Sequence, residues 1–165
     1  MLKNKVAVIT GCNRGIGLKI LEEFSENGAD IFACVRNVDE NILKKIEDLQ
    51  LKYKNKIFPL KFDLQDKDTI LLAAKEINKY DKNLNIIINN AGLIHNKLFQ
   101  LTKLEEFYQT FEVNFFNQIL FVQSLLRNIN KSKNGSIVFL SSSAAQDGNI
   151  GRAAYSSSKA ALAAF

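Results

Sequence analysis

Short apolar runs alternate with longer stretches of helical period along this whole chain. Val6-Ala7-Val8-Ile9 is an unbroken apolar run ending at a glycine turn, the pattern of a strand buried on both faces. From Ile16 to Asn27 the period becomes helical, with Ile16, Ile20, Leu21 and Phe24 on one face and Gly28 as the stop. Ile31 to Val35 predicts a second buried strand. Asn37 and Glu40 offer a cap for a helix running to about Lys54. Ile57 to Phe62 predicts a third strand, and Pro59 within it predicts a sheet edge. Asp66 opens a helix to about Tyr80, and Leu84 to Ile88 predicts a fourth strand. Thr102 and Glu105 read as a capping box for a long helix to about Asn128, apolar on most of its circumference. Gly135 to Leu140 predicts a fifth strand, and Ala153 begins a last helix.

Strand and helix alternate without repeat or linker, which calls for an α/β fold: a doubly wound parallel sheet with helices on both faces. Right-handed crossovers favour the order 3-2-1-4-5, placing the third strand, with its proline, at the margin. One domain over residues 1–165 is expected. Such folds commonly continue past a fifth strand. The sequence reaches Phe165 three turns into its last helix, so the chain is expected to be the N-terminal part of a longer single-domain protein.

Composition changes this picture little. The apolar and charged fractions are those of an ordinary globular domain. The net charge of +5 comes from scattered lysines, with no basic run interleaved with stacking aromatics, so neither nucleic acid nor a membrane is the expected partner. Cys12 and Cys34 form no CxxC and lie on different elements, so neither a metal site nor a disulfide is expected. No apolar leader precedes the first strand, and a cytoplasmic location is the expectation.

Candidate chemistry gathers where such sheets bind ligands, outside the carboxyl ends of the strands. Thr10-Gly11-Cys12-Asn13-Arg14-Gly15-Ile16-Gly17 follows the first strand and can seat a pyrophosphate on a helix N-terminus. Asp63 follows the third strand, Asn89-Asn90-Ala91-Gly92 the fourth, and Ser141 to Ser143 the fifth. Tyr155 and Lys159, at i and i+4, share a helix face, thirteen residues after Ser142 for the tyrosine.

These motifs, in order and spacing, resemble the short-chain dehydrogenase/reductase family, in its single-domain subgroup, over essentially the whole chain. The turn from Thr10 to Gly17 is similar to the family's cofactor turn, and Asp63-Leu64 to its adenine-side acid. Asn90, Ala91 and Gly92 fall in its strand-four motif, and Asn114, 24 positions after Asn90, matches its helix asparagine. Ser142, Tyr155 and Lys159 match its serine, tyrosine and lysine. The resemblance implies that Gly11, Asn13, Arg14, Gly15, Ile16, Gly17, Asp63, Leu64, Asn90, Ala91, Gly92, Tyr155 and Lys159 bind the cofactor, and Arg36, read from its own position, joins them. It implies that Asn114, Ser142, Tyr155 and Lys159 carry catalysis, the lysine also gripping the ribose and the asparagine supporting a water relay. The sequence ends before the family's sixth and seventh strands and much of its substrate pocket. The family also pairs its long helix and its tyrosine helix with their copies, so a homodimer or homotetramer is expected.

Elementary chemistry fits these roles. Reduction of a ketone by hydride develops negative charge on oxygen, so a proton donor must stand beside it. Phenol is a weak acid, with a reference pKa of about 10. A neighbouring ammonium makes it a readier donor. Ser142 can hold the same oxygen by a hydrogen bond. Bland roles remain open: Ser141 and Ser143 as turn residues, Asn114 as a satisfied core amide, His95 as a loop residue, and Cys12 as small filler.

Cofactor choice is read separately. The end of the second strand holds Val35 where a carboxylate would grip a ribose 2′-hydroxyl, and Arg36 and Arg14 lie nearby. Two guanidiniums without a carboxylate suit a 2′-phosphate, which favours NADP(H) over NAD(H). The expected activity is NADP-dependent reduction of a carbonyl, or oxidation of a secondary alcohol. The turn with Arg14 resembles that of 3-oxoacyl-carrier-protein reductases and suggests a 3-oxoacyl thioester. A dinucleotide-binding protein without turnover is the alternative. A sugar-nucleotide epimerase is disfavoured by the three-residue gap between Gly11 and Gly15.

Overall fold

The computed structural model describes all residues, Met1–Phe165. Five strands, β1 (Val6–Thr10), β2 (Asp30–Val35), β3 (Ile57–Lys61), β4 (Ile86–Asn89) and β5 (Ser136–Phe139), pair in parallel in the order β3-β2-β1-β4-β5. β1 and β2 are buried at every position. Their side chains alternate between two cores, as a pleated strand requires. Ile31, Ala33 and Val35 join α1 (Gly15–Glu26) and α2 (Glu40–Tyr53) on one face. Phe32 and Cys34 join α3 (Lys67–Asn78) and the long helical segment, which carries Phe121 and Leu125, on the other. The doubly wound architecture and strand order are those expected.

Most helix ends follow the sequence. Gly28 takes φ +84° after α1, a left-handed conformation that glycine adopts without penalty, and Asp66 caps α3 by accepting from Asp68 and Thr69 N–H. Two caps shift. Asp39, not Asn37, caps α2: its Oδ1 accepts the Ile42 N–H at 3.0 Å, a carboxylate being favoured at the positive end of a helix. At α4 (Leu104–Phe111) only half a box forms, Glu106 Oε2 accepting the Lys103 N–H at 2.7 Å, while Thr102 donates backward to Lys97 and Leu98 carbonyls. Glu106 prevails over Glu105 because Lys97 grips both its oxygens at 2.9 Å and His95 stands 3.3 Å away. β4 begins later than expected because the Leu84 N–H is taken by the Asn128 side chain rather than a strand.

Pro59 lies on the free edge of β3. Phe62 N–H donates to Val35 O, so by alternation the proline nitrogen faces away from β2 and no sheet bond is lost. The long helix is not continuous: a π turn, Glu112–Phe116, separates α4 from α5 (Asn117–Ile129). After β5 come one turn, α6 (Ala144–Asp147), and α7 (Ala153–Ala164), which packs against α4 and the π turn. Cys12 and Cys34 are free and buried, and they point into opposite cores.

Candidate active site

The glycine turn closes on itself at the top of β1. Gly15, at φ +57°, enters α1 in a conformation that side chains rarely adopt. A Cβ on Gly17 would collide with the Gly11 carbonyl oxygen, so this glycine lets α1 press against the turn. The N-terminus of α1 has no side-chain cap and no acidic residue in its first turn. Its free N–H groups and positive dipole end are therefore available to an anion.

A second layer fixes the turn against β4. Thr10 Oγ1 accepts the Asn90 and Ala91 N–H groups, both at 3.0 Å. Asn90 Nδ2 donates back to the Thr10 and Gly11 carbonyls at 2.8 and 3.3 Å. Asn90 thus braces the turn from behind as well as facing the cleft.

That cleft has a volume of about 470 Å³, within the usual range for small-molecule sites. The glycine turn supplies Gly11, Asn13, Arg14, Gly15 and Ile16; the end of β2 supplies Arg36; the end of β3 supplies Asp63 and Leu64; the end of β4 supplies Asn90, Ala91 and Gly92. Ile16, also read as a core residue of α1, is exposed in this cleft instead, because it sits in the helix's first turn. Asn37, Phe62 and Val113 line the cleft too and were not foreseen. Each is the immediate neighbour of a predicted residue, the only signal the sequence held. Arg36 Nε lies 3.6 Å from Asp63 Oδ2, a loose pair of an exposed guanidinium and a half-buried carboxylate across one end of the cleft.

Beyond Gly92 stand the polar groups of α7 and the π turn. A Cβ at Gly92 would lie 3.5 Å from Lys159 Nζ and 3.2 Å from Asn114 Oδ1. Lys159 is 4% exposed, its Nζ donates to the Leu140 carbonyl at 2.7 Å, and burial lowers its pKa to about 8. Ser141 Oγ donates in return to the Lys159 carbonyl at 2.9 Å, so α7 and the end of β5 are stitched in both directions. Ser142 is half-buried and its oxygen accepts the Ala144 N–H at 3.2 Å, which leaves its own proton to donate. Tyr155, one turn before Lys159, is half-buried.

The sequence pattern of the short chain dehydrogenases matches residues 5–165. The chain belongs to that family. It is 32% identical to the 3-oxoacyl-acyl-carrier-protein reductase FabG of Aquifex aeolicus, over 99% of this chain and 66% of that protein. It is likewise 32% identical to mouse dehydrogenase/reductase SDR family member 7B, over 99% of this chain and 51% of the relative. The chain therefore spans between half and two thirds of the length of these relatives. Its fold superposes on L-sorbose reductase from Gluconobacter frateurii, solved with NADPH and L-sorbose, with a TM-score of 0.91 at 25% identity, covering 98% of this chain and 61% of that one.

Within this short chain dehydrogenase, Asn114 is fully buried on the π turn, a helix irregularity found frequently at functional sites. Its Oδ1 accepts the Leu93 N–H at 2.7 Å, and its Nδ2 donates to Leu93 O at 2.9 Å and to Ser158 Oγ at 3.0 Å. Every polar group of the side chain is spent on protein, so it acts as a clamp between the β4 loop and α7. Two further amides escaped the sequence reading. Asn117 Nδ2 donates to Leu64 O at 2.7 Å, and Gln118 Nε2 to Ala91 O at 3.0 Å. Their presence in an apolar helix beside Asn114 was the available clue. His95 meets Glu106 rather than a nucleophile, at the foot of the loop that leaves β4.

Proposed function

We propose that this chain is the cofactor-binding and catalytic part of an NADP-dependent reductase that converts a carbonyl to a secondary alcohol, or runs the reverse oxidation. The observation that carries this reading is the placement of Lys159 Nζ and Asn114 directly against Gly92, a wall residue of the cleft. The glycine turn, Arg36 and Asp63 wall one end, and the other end, at Gly92, adjoins Lys159 and Asn114. A dinucleotide has that polarity, with an anionic middle for the bare N-terminus of α1. A bound nicotinamide supplies the hydride.

The chain's own residues do the rest. As hydride reaches the carbonyl carbon, charge grows on the substrate oxygen. Tyr155 gives its phenolic proton to that oxygen, and Ser142 donates a hydrogen bond to it. Lys159, anchored by the Leu140 carbonyl, holds a positive charge close to this reaction and has further protons for the ribose hydroxyls. Asn114 keeps the Leu93 segment and α7 in register. Arg14 and Arg36 take the 2′-phosphate, since Val35 offers no carboxylate to a ribose hydroxyl. The likeness to a 3-oxoacyl reductase makes a 3-oxoacyl thioester the favoured substrate. Leu104, Tyr108 and Phe116 are exposed along α4 and the π turn, and they support a homodimer or homotetramer built on that face, in the cytoplasm. NADPH titration of the full-length protein by fluorescence, followed by a panel of ketones and 3-oxoacyl thioesters, tests the reading. Absence of NADPH binding would overturn it.

A further inference from the structure

Asn114, Asn117 and Gln118 all lie within 2% of complete burial, grouped within five positions of one helical segment. Each gives an amide N–H to a loop carbonyl at the carboxyl edge: Leu93, Leu64 and Ala91. Burying an amide is costly unless it is bonded, and an apolar side chain would serve the core at least as well. What the amides add is location. Ala91 has both its backbone polar groups held by side chains, its N–H by Thr10 and its carbonyl by Gln118. Leu64, beside Asp63, is held by Asn117 across 53 positions of sequence. Both held residues wall the cleft.

We infer that Asn117 and Gln118 are positioning residues for the dinucleotide. Asn117 sets the adenine-side wall through Leu64, and Gln118 sets the wall between the glycine turn and Gly92 through Ala91. The rotation of one helix thereby fixes the width of the cleft at two places. The inference rests on the reading of this cleft as a dinucleotide site. Loss of one anchor moves a wall by a fraction of a bond length to about 1 Å, enough to cost up to about a hundredfold in a well-aligned site.

The test uses two halves of the cofactor, adenosine 2′,5′-bisphosphate and reduced nicotinamide mononucleotide, each titrated against the full-length protein. Asn117→Leu should weaken the bisphosphate about tenfold and leave the mononucleotide unchanged, a split that general loosening of the fold cannot produce. Gln118→Leu should weaken the mononucleotide as well. Asn117→Ser, which keeps the helix and relieves crowding, should reproduce the split if the leucine variant folds poorly. Unchanged bisphosphate affinity, or equal loss of both halves in the Asn117 variants, overturns the inference alone. Failure of the unmodified protein to bind either half overturns the cofactor reading and this inference with it.

Discussion

Lys159 Nζ donates to the Leu140 carbonyl at 2.7 Å, so the one buried ammonium of the site is anchored to the end of β5, two residues before Ser142. Burial lowers its pKa to about 8. The unfolded lysine binds its proton up to about pH 10.4. Between those values the unfolded state holds more protons than the folded one, so this group makes stability rise with pH there. Relative to a Lys159→Met variant, the unmodified protein should gain on the order of 3 kcal/mol between about pH 8 and pH 10.4. Denaturant titrations across that window check it; a flat difference would show that the bond to the Leu140 carbonyl offsets the cost of burial. The same deprotonation should lower the rate of carbonyl reduction as pH rises through about 8.

Arg36 is exposed and only loosely paired with Asp63, so it is free to turn toward a phosphate. Arg36→Asp would set a second carboxylate beside Asp63. NADPH affinity should fall by about 1–2 kcal/mol, the low end for a charge-assisted contact because the site is wet. NADH affinity should hold or improve. Fluorescence titration with both cofactors decides; tighter NADH binding by the unmodified protein would remove the case for NADP.

Gly17→Ala should harm the fold and the site together. The added methyl meets the Gly11 carbonyl and the Asn90 side chain, which braces the turn. Overpacking of this kind costs roughly 1–3 kcal/mol, and the turn must open to accept it. A lowered unfolding midpoint and lost NADPH binding are expected. Normal binding would mean the turn is looser than its hydrogen bonds indicate.

The parts of the fold legible in the sequence were those where one residue type answers one physical demand. β1 and β2 announced themselves because a strand covered on both faces has no polar position to spare. Gly11, Gly15 and Gly17 were legible because a positive φ at the first two and the close approach of the Gly11 carbonyl at the third disfavour side chains. The caps of α2 and α4 slipped because several residues near each start could accept, and the choice fell to distant partners, Lys97 and His95 in the case of Glu106. The π turn left no local mark: Glu112 to Phe116 would suit an ordinary helix, and only packing shows the extra residue. Asn117 and Gln118 were hidden for the same reason, since their partners lie in loops far away in sequence.

The exposed apolar stripe of α4 predicts association. Leu104→Glu with Tyr108→Glu should convert a dimeric or tetrameric full-length protein into monomers while leaving the cleft intact, because neither residue lines it. Sedimentation at micromolar concentration reads the outcome. A monomeric unmodified protein would show that this face is covered in some other way.

Tyr155 is the proposed proton donor for carbonyl reduction. Tyr155→Phe in the full-length protein keeps the ring and its half-buried packing and removes only the hydroxyl. NADPH oxidation with a reducible ketone, measured beside NADPH affinity, should show affinity within a factor of about two and turnover reduced about 10²–10⁴-fold, the usual scale of a general acid. Near-normal turnover by the phenylalanine variant would place the proton donor elsewhere and contradict the account.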